Sequence, residues 1–448
     1  MSASAFHSAI ELASQHLQQG EVEQAFSAMT PFSASATEDR DHAISVISLW
    51  RHAPGRVGLL AEVTRMASAF PEDADVVMAA CDALIRDAER LAPDVPPPAQ
   101  GAAHTAARLA QSCLERLVAT GDLKTETHAY LQMCLGNALR LAHLFERAIP
   151  AMKSALEKRP DHGPWWFNLG LAHKQQGDFA AGLVAASRAR ELLGDQKSVL
   201  WNVAICATAC GQGAVAVDAF GAMGLGAYLS AGGMPQVDHM PPVQVRVATV
   251  GPGHMGPSVV PDQAVGFELV WVSPLSPCHG VVQTATYRQG SVDYGDVVLW
   301  DAVPVGTSSW EGKTTPRFPL LARLSEGNER RFRYVALQRR PGAIEVLRGE
   351  LPLGGQLFVH REQIEQSEPG VAEAGAVNEQ RLVYGKVVLP HDADLAEFKK
   401  SFEARVTEAQ VELVMPELLE ALGDTAAAGK AHTLWRGIER TAEKAKAH

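Results

Sequence analysis

Residues 163–194 read GPWWFNLGLAHKQQGDFAAGLVAASRARELLG. Two helix-forming stretches flank the dipeptide Gly177-Asp178, which reads as a tight turn. Glycine at 177 accepts the left-handed backbone that closes a helix. Gly170 in the first stretch and Gly182 in the second leave space for two helices to touch closely. The same features recur at a fixed interval. Gly136 and Gly170 lie 34 residues apart, each preceded by leucine, and a further 34 reaches Val203-Ala204. Gly177 and Gly211 keep that spacing, as do Ala148, Gly182 and Ala216, then Ala155 and Ala189, and then Met152, Ala186 and Phe220. A fixed period of this length is the signature of stacked helical hairpins, each covering an apolar face that its neighbour leaves open.

Pro160 closes one unit just before Trp165-Trp166 open the next. Together these residues resemble the tetratricopeptide family over about residues 128–224, under a quarter of the chain. That family's pattern runs Trp, Leu-Gly, Tyr, Ala, Phe, Ala, Pro. Here His173 stands in place of the Tyr, Gly194 in place of the closing Pro, and the third unit lacks the Leu-Gly pair. The resemblance implies that the first helices of successive hairpins line a groove that holds an extended peptide. Asn137, Asn168 and Asn202 fall on those first helices, and a carboxamide can both donate to and accept from a ligand's backbone. Arg140, Lys174, Phe167 and Trp201 are expected to share the groove surface, whereas Trp165 and Trp166 are expected to pack. Chaperone-binding members of the family clamp a C-terminal carboxylate with basic residues. Those positions hold Met133, Ser198 and Asn202 here, so no clamp of that kind is expected.

The helical texture extends from residue 5 to about 225. Residues 5–31 repeat the spacing in degraded form, with Leu12-Ala13, Gly20, Ala25, Met29 and Pro31, and the helices up to about residue 127 are expected to be degenerate repeats or caps. Proline and glycine break the texture at Asp94–Pro98 and again between Leu229 and Pro242, because proline lacks the amide donor a helix needs. Of the 448 residues, 46% are hydrophobic and 20% charged, which fits a globular protein of two or three domains. A net charge of -11 disfavours nucleic acid as the main ligand. The N-terminus shows no signal-peptide pattern and no apolar run reaches membrane-spanning length, so a cytoplasmic protein without a transmembrane segment is expected. The six scattered cysteines read as reduced thiols.

From about residue 243 short valine-rich runs alternate with Gly, Pro, Ser and Asp. The expected strands are 244–250, 266–272, 281–288, 296–301, 318–324, 332–338, 343–348, 356–360 and 382–389, arranged as an antiparallel sandwich or small barrel. Helical sequence returns after about 391. Its last helix carries Lys430, Arg436, Arg440, Lys444 and Lys446 opposite Leu434, Trp435 and Ile438, and the apolar side is expected to pack on the protein.

Several clusters in this part need a physical reading. Residues 306–314 (GTSSWEGKT) superficially suggest a phosphate loop. Five residues separate the glycines where that motif has four, and Pro316 and Pro319 forbid the helix it requires. His254, Cys278 and His279 could ligate a metal or make a nucleophile with its base, but a lone Cys-His pair reads better as a turn. Asp293, Asp296 and Asp301 have the acidity for ion binding or acid–base work, yet Asp-Tyr-Gly-Asp is first of all a turn. Arg331 and Arg333 alternate with Phe332 and Tyr334, and Arg330, Arg339 and Arg340 stand beside them, so Arg331, Arg333 and Arg339 could make one basic face. Cys206 and Cys210 sit in a small-residue run and read as packing.

The expected fold is therefore an α+β multidomain chain. Residues 1–127 are capping or degenerate helices, 128–228 the repeat array, 229–242 a linker, 243–390 the β-rich domain and 391–448 a helical segment. The expected role is an adaptor or assembly factor whose groove holds a protein or peptide, with no cofactor and no metal. The rival readings are an enzyme whose β-rich domain does chemistry on a substrate recruited by the repeats, and a structural subunit of a larger complex.

Overall fold

The computed structural model describes residues 3–32, 35–91, 98–250, 264–286, 291–310, 313–338, 342–349, 351–365 and 380–444. It divides into two compact units. The first holds Met1–His239 together with two short segments, Ser276–Cys278 and Trp300–Thr307. The second holds Met240–Leu275, His279–Leu299 and Ser308–His448.

The first unit begins with α1 (Ala3–Gln18), α2 (Val22–Met29), α3 (Arg40–Trp50), α4 (Leu59–Ala69), α5 (Ala74–Ala88) and α6 (Ala102–Thr120). Aspartates start two of these helices. Asp39 accepts from the backbone N–H groups of Asp41 and His42, and Asp73 does the same for Asp75 and Val76, satisfying donors that no helical carbonyl can reach. Three hairpins follow: α7 (Thr125–Leu141) with α8 (Phe145–Lys158), α9 (Gly163–Gln176) with α10 (Phe179–Leu193), and α11 (Lys197–Ala209) with α12 (Gly213–Ala222). One apolar core runs from Phe6, Trp50 and Leu84 through Ala106 and Cys113 to Leu131, Leu135 and Leu139 of α7. The early helices thus cover the face that the first hairpin would otherwise expose.

The periodic small residues mark the crossings. A methyl group at Gly136 would come within 2.5 Å of Met152 Cγ and 3.2 Å of Ala148 O, and one at Gly170 within 3.3 Å of Ala186 N. Gly177 closes α9 at φ 89°, where a side chain is strained. Trp165 is buried and meets Tyr130 edge-on, with ring centroids 5.1 Å apart, as expected of a packing residue. After α12 the chain makes a small antiparallel ribbon, β1 (Tyr228–Leu229) with β2 (Pro235–Gln236).

The second unit contains two sheets. β3 (Val243–Val250), β4 (Ala264–Ser276), β5 (His279–Val282), β6 (Val297–Trp300), β7 (Gly306–Trp310) and β8 (Lys313–Ser325) pair in the order β3-β4-β5-β6-β8-β7. A parallel pairing of β3 with β8 closes five of them into a small barrel, with β7 outside the ring. Val245, Val247, Val270 and Val272 alternate with polar or exposed residues and are buried, the two-residue period of a strand with one wet face. The second sheet has the order β10-β11-β9-β12, built from β9 (Arg330–Gln338), β10 (Gln356–Glu365), β11 (Gln380–Leu389) and β12 (Val411–Val414). With it go α13 (Ala343–Gly349), α14 (Leu395–Glu408), α15 (Pro416–Ala421) and α16 (Thr425–Lys444). Phe332, Tyr334 and Ala336 join Phe398 and Phe402 in one core, while Val335 and Leu337 join Ile438 and the partly buried Trp435 in another. Both faces of β9 are covered, which explains its unbroken apolar run.

Two expectations need correction. Residues 343–348 form α13 and not a strand, because Ala343, Ile344 and Leu347 fall at helical spacing and all three are buried. The strand expected at 281–288 is the shorter β5, ending at Val282. β7 and β12 were not anticipated. The described residues of the GTSSWEGKT stretch, 306–310 and 313–314, lie on β7 and β8 and form no helix.

Candidate functional site

The first helices of the three hairpins share a polar column that the small-residue columns conceal. Arg140, Lys174 and Thr208 lie 34 residues apart, each four residues after Gly136, Gly170 or Ala204. All three are buried, at 6%, 3% and 1% exposure. Lys174 Nζ is 2.7 Å from Asp301 Oδ2, on the segment Trp300–Thr307 that belongs to the first unit. Thr208 donates to Ala204 O at 2.8 Å, and its Oγ1 lies 3.6 Å from Cys278 Sγ. The two short segments are tied together, since Trp300 N donates to Cys278 O at 2.9 Å. Two short non-helical segments of this chain therefore lie against the column, one at each of two successive hairpins.

At the remaining position the guanidinium of Arg140 has far less company. Its Nη1 donates to Gln175 Oε1 at 3.2 Å, and its Nε has no acceptor among the described residues. Burial pulls its pKa down to about 10, although the charge of Glu89 pulls the other way. Removing a cation from water without a full set of partners is costly. One turn back on the same helix, Asn137 Oδ1 is also buried and without a donor. Residues three apart share a helix face, so both atoms belong to one patch of α7.

The expected groove residues divide by exposure. Asn137, Phe167, Asn168 and Trp201 are half-buried. Trp201 meets Phe220 edge-on, with centroids 5.8 Å apart. Asn202 turns inward instead; it is 4% exposed and its Nδ2 donates to Ser198 O at 3.2 Å. Arg140 and Lys174 are likewise buried and not on an open surface. His173, where the family pattern has Tyr, is buried, and that burial lowers its pKa.

No protein-family model and no curated protein matches the chain. Solved structures similar to part of it include two forms of MamA AMB-1, at 19% and 18% sequence identity. Each alignment covers 41% of this chain, and 87% and 94% of the MamA chains, with a TM-score of 0.30.

The clusters of the β-rich part resolve into internal pairings. The three aspartates take different cations. Asp296, fully buried, meets Arg331 at 3.1 Å and Arg323 at 3.6 Å, Asp293 meets Lys386, and Asp301 meets Lys174. Asp293–Asp296 is also a turn, with Asp293 accepting from Tyr294 N and Gly295 at φ 84°. Arg331 donates further to the carbonyls of Tyr294 and Gly327, and Arg333 pairs with Glu417 through its guanidinium and its backbone N–H. Of the three arginines of the expected basic face, Arg331 and Arg333 are thus engaged within the protein. Arg339, Arg340 and His254 lie outside the described residues.

Cys278 is fully buried, and burial pushes its thiol up to about 11, with Thr208 and Ser276 pulling weakly the other way. At neutral pH that sulfur carries a proton, which is the wrong state for a nucleophile or a metal ligand. Cys206 is pushed up to about 12 by the same cause. Among the described residues no three His, Cys, Asp or Glu side chains gather in a way that could hold a metal ion. No described helix is long and apolar enough to cross a membrane.

Sequence reasoning missed Asp301 as the partner of Lys174, and Thr208 altogether. The signal for Thr208 was present, since 140, 174 and 208 keep the period already established by the glycines. Nothing local to residue 301 pointed to a helix more than a hundred residues away.

Proposed function

We propose that the hairpin array holds an extended segment of another protein, and that the chain acts as an adaptor or assembly factor. One observation carries this reading. The first helices of the array present a periodic polar column, and at Lys174 that column already grips a carboxylate from a non-helical stretch, Trp300–Thr307. A surface that can hold a stretch of this chain has the shape and chemistry to hold one from elsewhere. The half-buried Asn137, Phe167, Asn168 and Trp201 lie on the same first helices and supply carboxamides and aromatic area for such a segment.

The test is capture of partners by the full chain from native extract, read by mass spectrometry, alongside the double variant Asn137→Ala/Asn168→Ala. A partner held by the unmodified chain and lost from the variant supports the reading. A partner held equally by both moves the contact away from these helices, and capture of nothing removes the adaptor role.

A further inference from the structure

We propose that the outer face of the barrel across β4, β3 and β8 is a platform for single-stranded nucleic acid, with bases stacking on Phe267 and Trp271 and phosphates meeting Arg246 and Arg317. This face belongs to the β-rich unit and is independent of the peptide-holding reading of the array.

β4 turns Phe267, Leu269 and Trp271 outward, at 40%, 37% and 39% exposure, while Val270 and Val272 are buried. Alternate side chains of a strand share a face, so these three form a stripe about 13 Å long. Large apolar side chains scattered singly over a surface are ordinary, but a row of them marks a site of interaction. The register fixes what lies beside the row. Trp271 pairs with Gln244 of β3, and Gln244 with Arg317 of β8. Leu269 pairs with Arg246, and Arg246 with Pro319. Two half-buried guanidinium groups therefore flank the stripe. The Cζ of Arg246 lies 4.4 Å from the centroid of the Phe267 ring, a cation held against an aromatic face. Arg317 Nε donates to Ser308 Oγ at 2.5 Å, and Ser308 donates in turn to Gln244 Oε1. That relay positions Arg317 with neutral groups alone; among the described residues no carboxylate lies within ion-pair range of it.

Chemistry selects the occupant. A second copy of this chain docked about a two-fold axis would set the same patch against itself. Two arginines would then face two more, and the rows that make the patch contain no acid to answer them. An acidic peptide would meet the guanidinium groups, but carboxylates and aliphatic carbon make little use of two aromatic rings set along one strand. A single-stranded nucleic acid brings a phosphate and a flat base with every nucleotide, and its extended backbone repeats on the scale of one outward side chain to the next. Every base has a π-face, so a platform of this kind binds with little sequence preference. The net charge of -11 opposes a polyanion at long range. Affinity therefore comes mainly from stacking, with the two arginines as local anchors, and it depends strongly on the rings and weakly on salt.

The experiment uses the full chain and three fluorescent probes: a short oligothymidylate, an abasic strand of the same length, and an oligoglutamate peptide. Binding is read by fluorescence anisotropy over a range of salt. Oligothymidylate should bind at least tenfold more tightly than either other probe. Trp271→Ala should weaken it about tenfold, as loss of one stacked base does, and Trp271→Phe should keep most of the affinity. With two arginines on phosphates, the logarithm of the binding constant should fall against that of salt with a slope of about -1.4, reduced to about -0.7 in Arg317→Gln. A second readout needs no variant to bind: the Trp271 indole N–H resonance of the unmodified protein, assigned by its absence from Trp271→Phe, should shift with oligothymidylate and not with the abasic strand. No binding of oligothymidylate, equal binding of the abasic strand, undiminished binding by folded Trp271→Ala, or an unmoved resonance would each overturn the proposal. Tighter binding of oligoglutamate that is lost in Trp271→Ala would assign the stripe to an acidic protein segment instead. Self-association in sedimentation that Trp271→Ala abolishes would assign it to a second copy, and either result overturns the nucleic-acid platform.

Discussion

Lys174 Nζ lies 2.7 Å from Asp301 Oδ2, with both side chains almost wholly buried. Each ion has lost its water, so each depends on the other. Removing one partner leaves an uncompensated buried charge, at a typical cost of about 3–5 kcal/mol. Lys174→Met and Asp301→Leu are each expected to lower the urea midpoint by that order. The double variant should recover much of the loss, since apolar residues of similar volume often replace a buried pair without penalty. A double-mutant cycle measures the coupling directly. Additive losses would show that the pair contributes little as a pair.

Histidines make the second unit sensitive to mild acid. Burial lowers His279 to about 4, and it lowers His360 to about 4 with help from the Lys386 charge and against Asp293. An unfolded histidine titrates near pH 6.5. Above that pH both states are neutral and nothing changes. Below it the unfolded chain gains protons that the folded chain refuses, so stability falls as pH drops from about 6.5 towards 4. For His279 the full loss is on the order of 3 kcal/mol. Urea unfolding at pH 7.5, 6, 5 and 4 should show a steep decline, and His279→Gln should flatten part of it. A variant that declines as steeply as the parent would assign the acid sensitivity to other groups.

Thiol reactivity separates the buried cysteines from the rest. Cys81, Cys113, Cys206 and Cys278 are buried, whereas Cys134 and Cys210 are partly exposed. Alkylation of the native protein at pH 8 should modify at most Cys134 and Cys210, with the other four reacting only on unfolding. Cys278, held at about 11, should be among the slowest. Rapid native labelling of Cys278 would reopen a catalytic role for it.

The repeat was legible because its cause is local. Two helices can approach at Gly136 or Gly170 only if no side chain intervenes, and that requirement recurs with every hairpin. The barrel was legible as alternation in Val243–Val250, but its closure was not, because the β3–β8 pairing joins residues 244–246 to 317–319. Residues 343–348 were misread since six residues fit both a strand and two turns of helix, and only the packing of Ile344 and Leu347 decides. The candidate site was half legible. Arg140 and Lys174 were named from the repeat, but as surface groups. Their burial depends on what covers them, and for Lys174 that is a segment far along the chain.

Gly385 offers the sharpest test of the second sheet. It pairs with Val359 on one side and Tyr334 on the other, next to the irregularity between Val359 and Arg361 where β10 slips its register. A methyl group at residue 385 would collide with Phe358 O and with the Tyr334 ring and hydroxyl. The carbonyl belongs to backbone and cannot swing away, and Tyr334 is fully buried with its Oη donating to Phe358 O at 3.2 Å. Gly385→Ala should therefore cost about 2–4 kcal/mol, as overpacking against a fixed strand does. Tyr334→Phe alone should cost about 1 kcal/mol for the lost hydrogen bond. In the double variant removing the hydroxyl relieves one collision but not the one with Phe358 O, so the loss should exceed that of Tyr334→Phe alone. Equilibrium urea unfolding of the four proteins checks this order. A neutral or stabilising Gly385→Ala would mean that β10 is free to move away from β11, and that the pairing at Val359 does not hold the sheet in register.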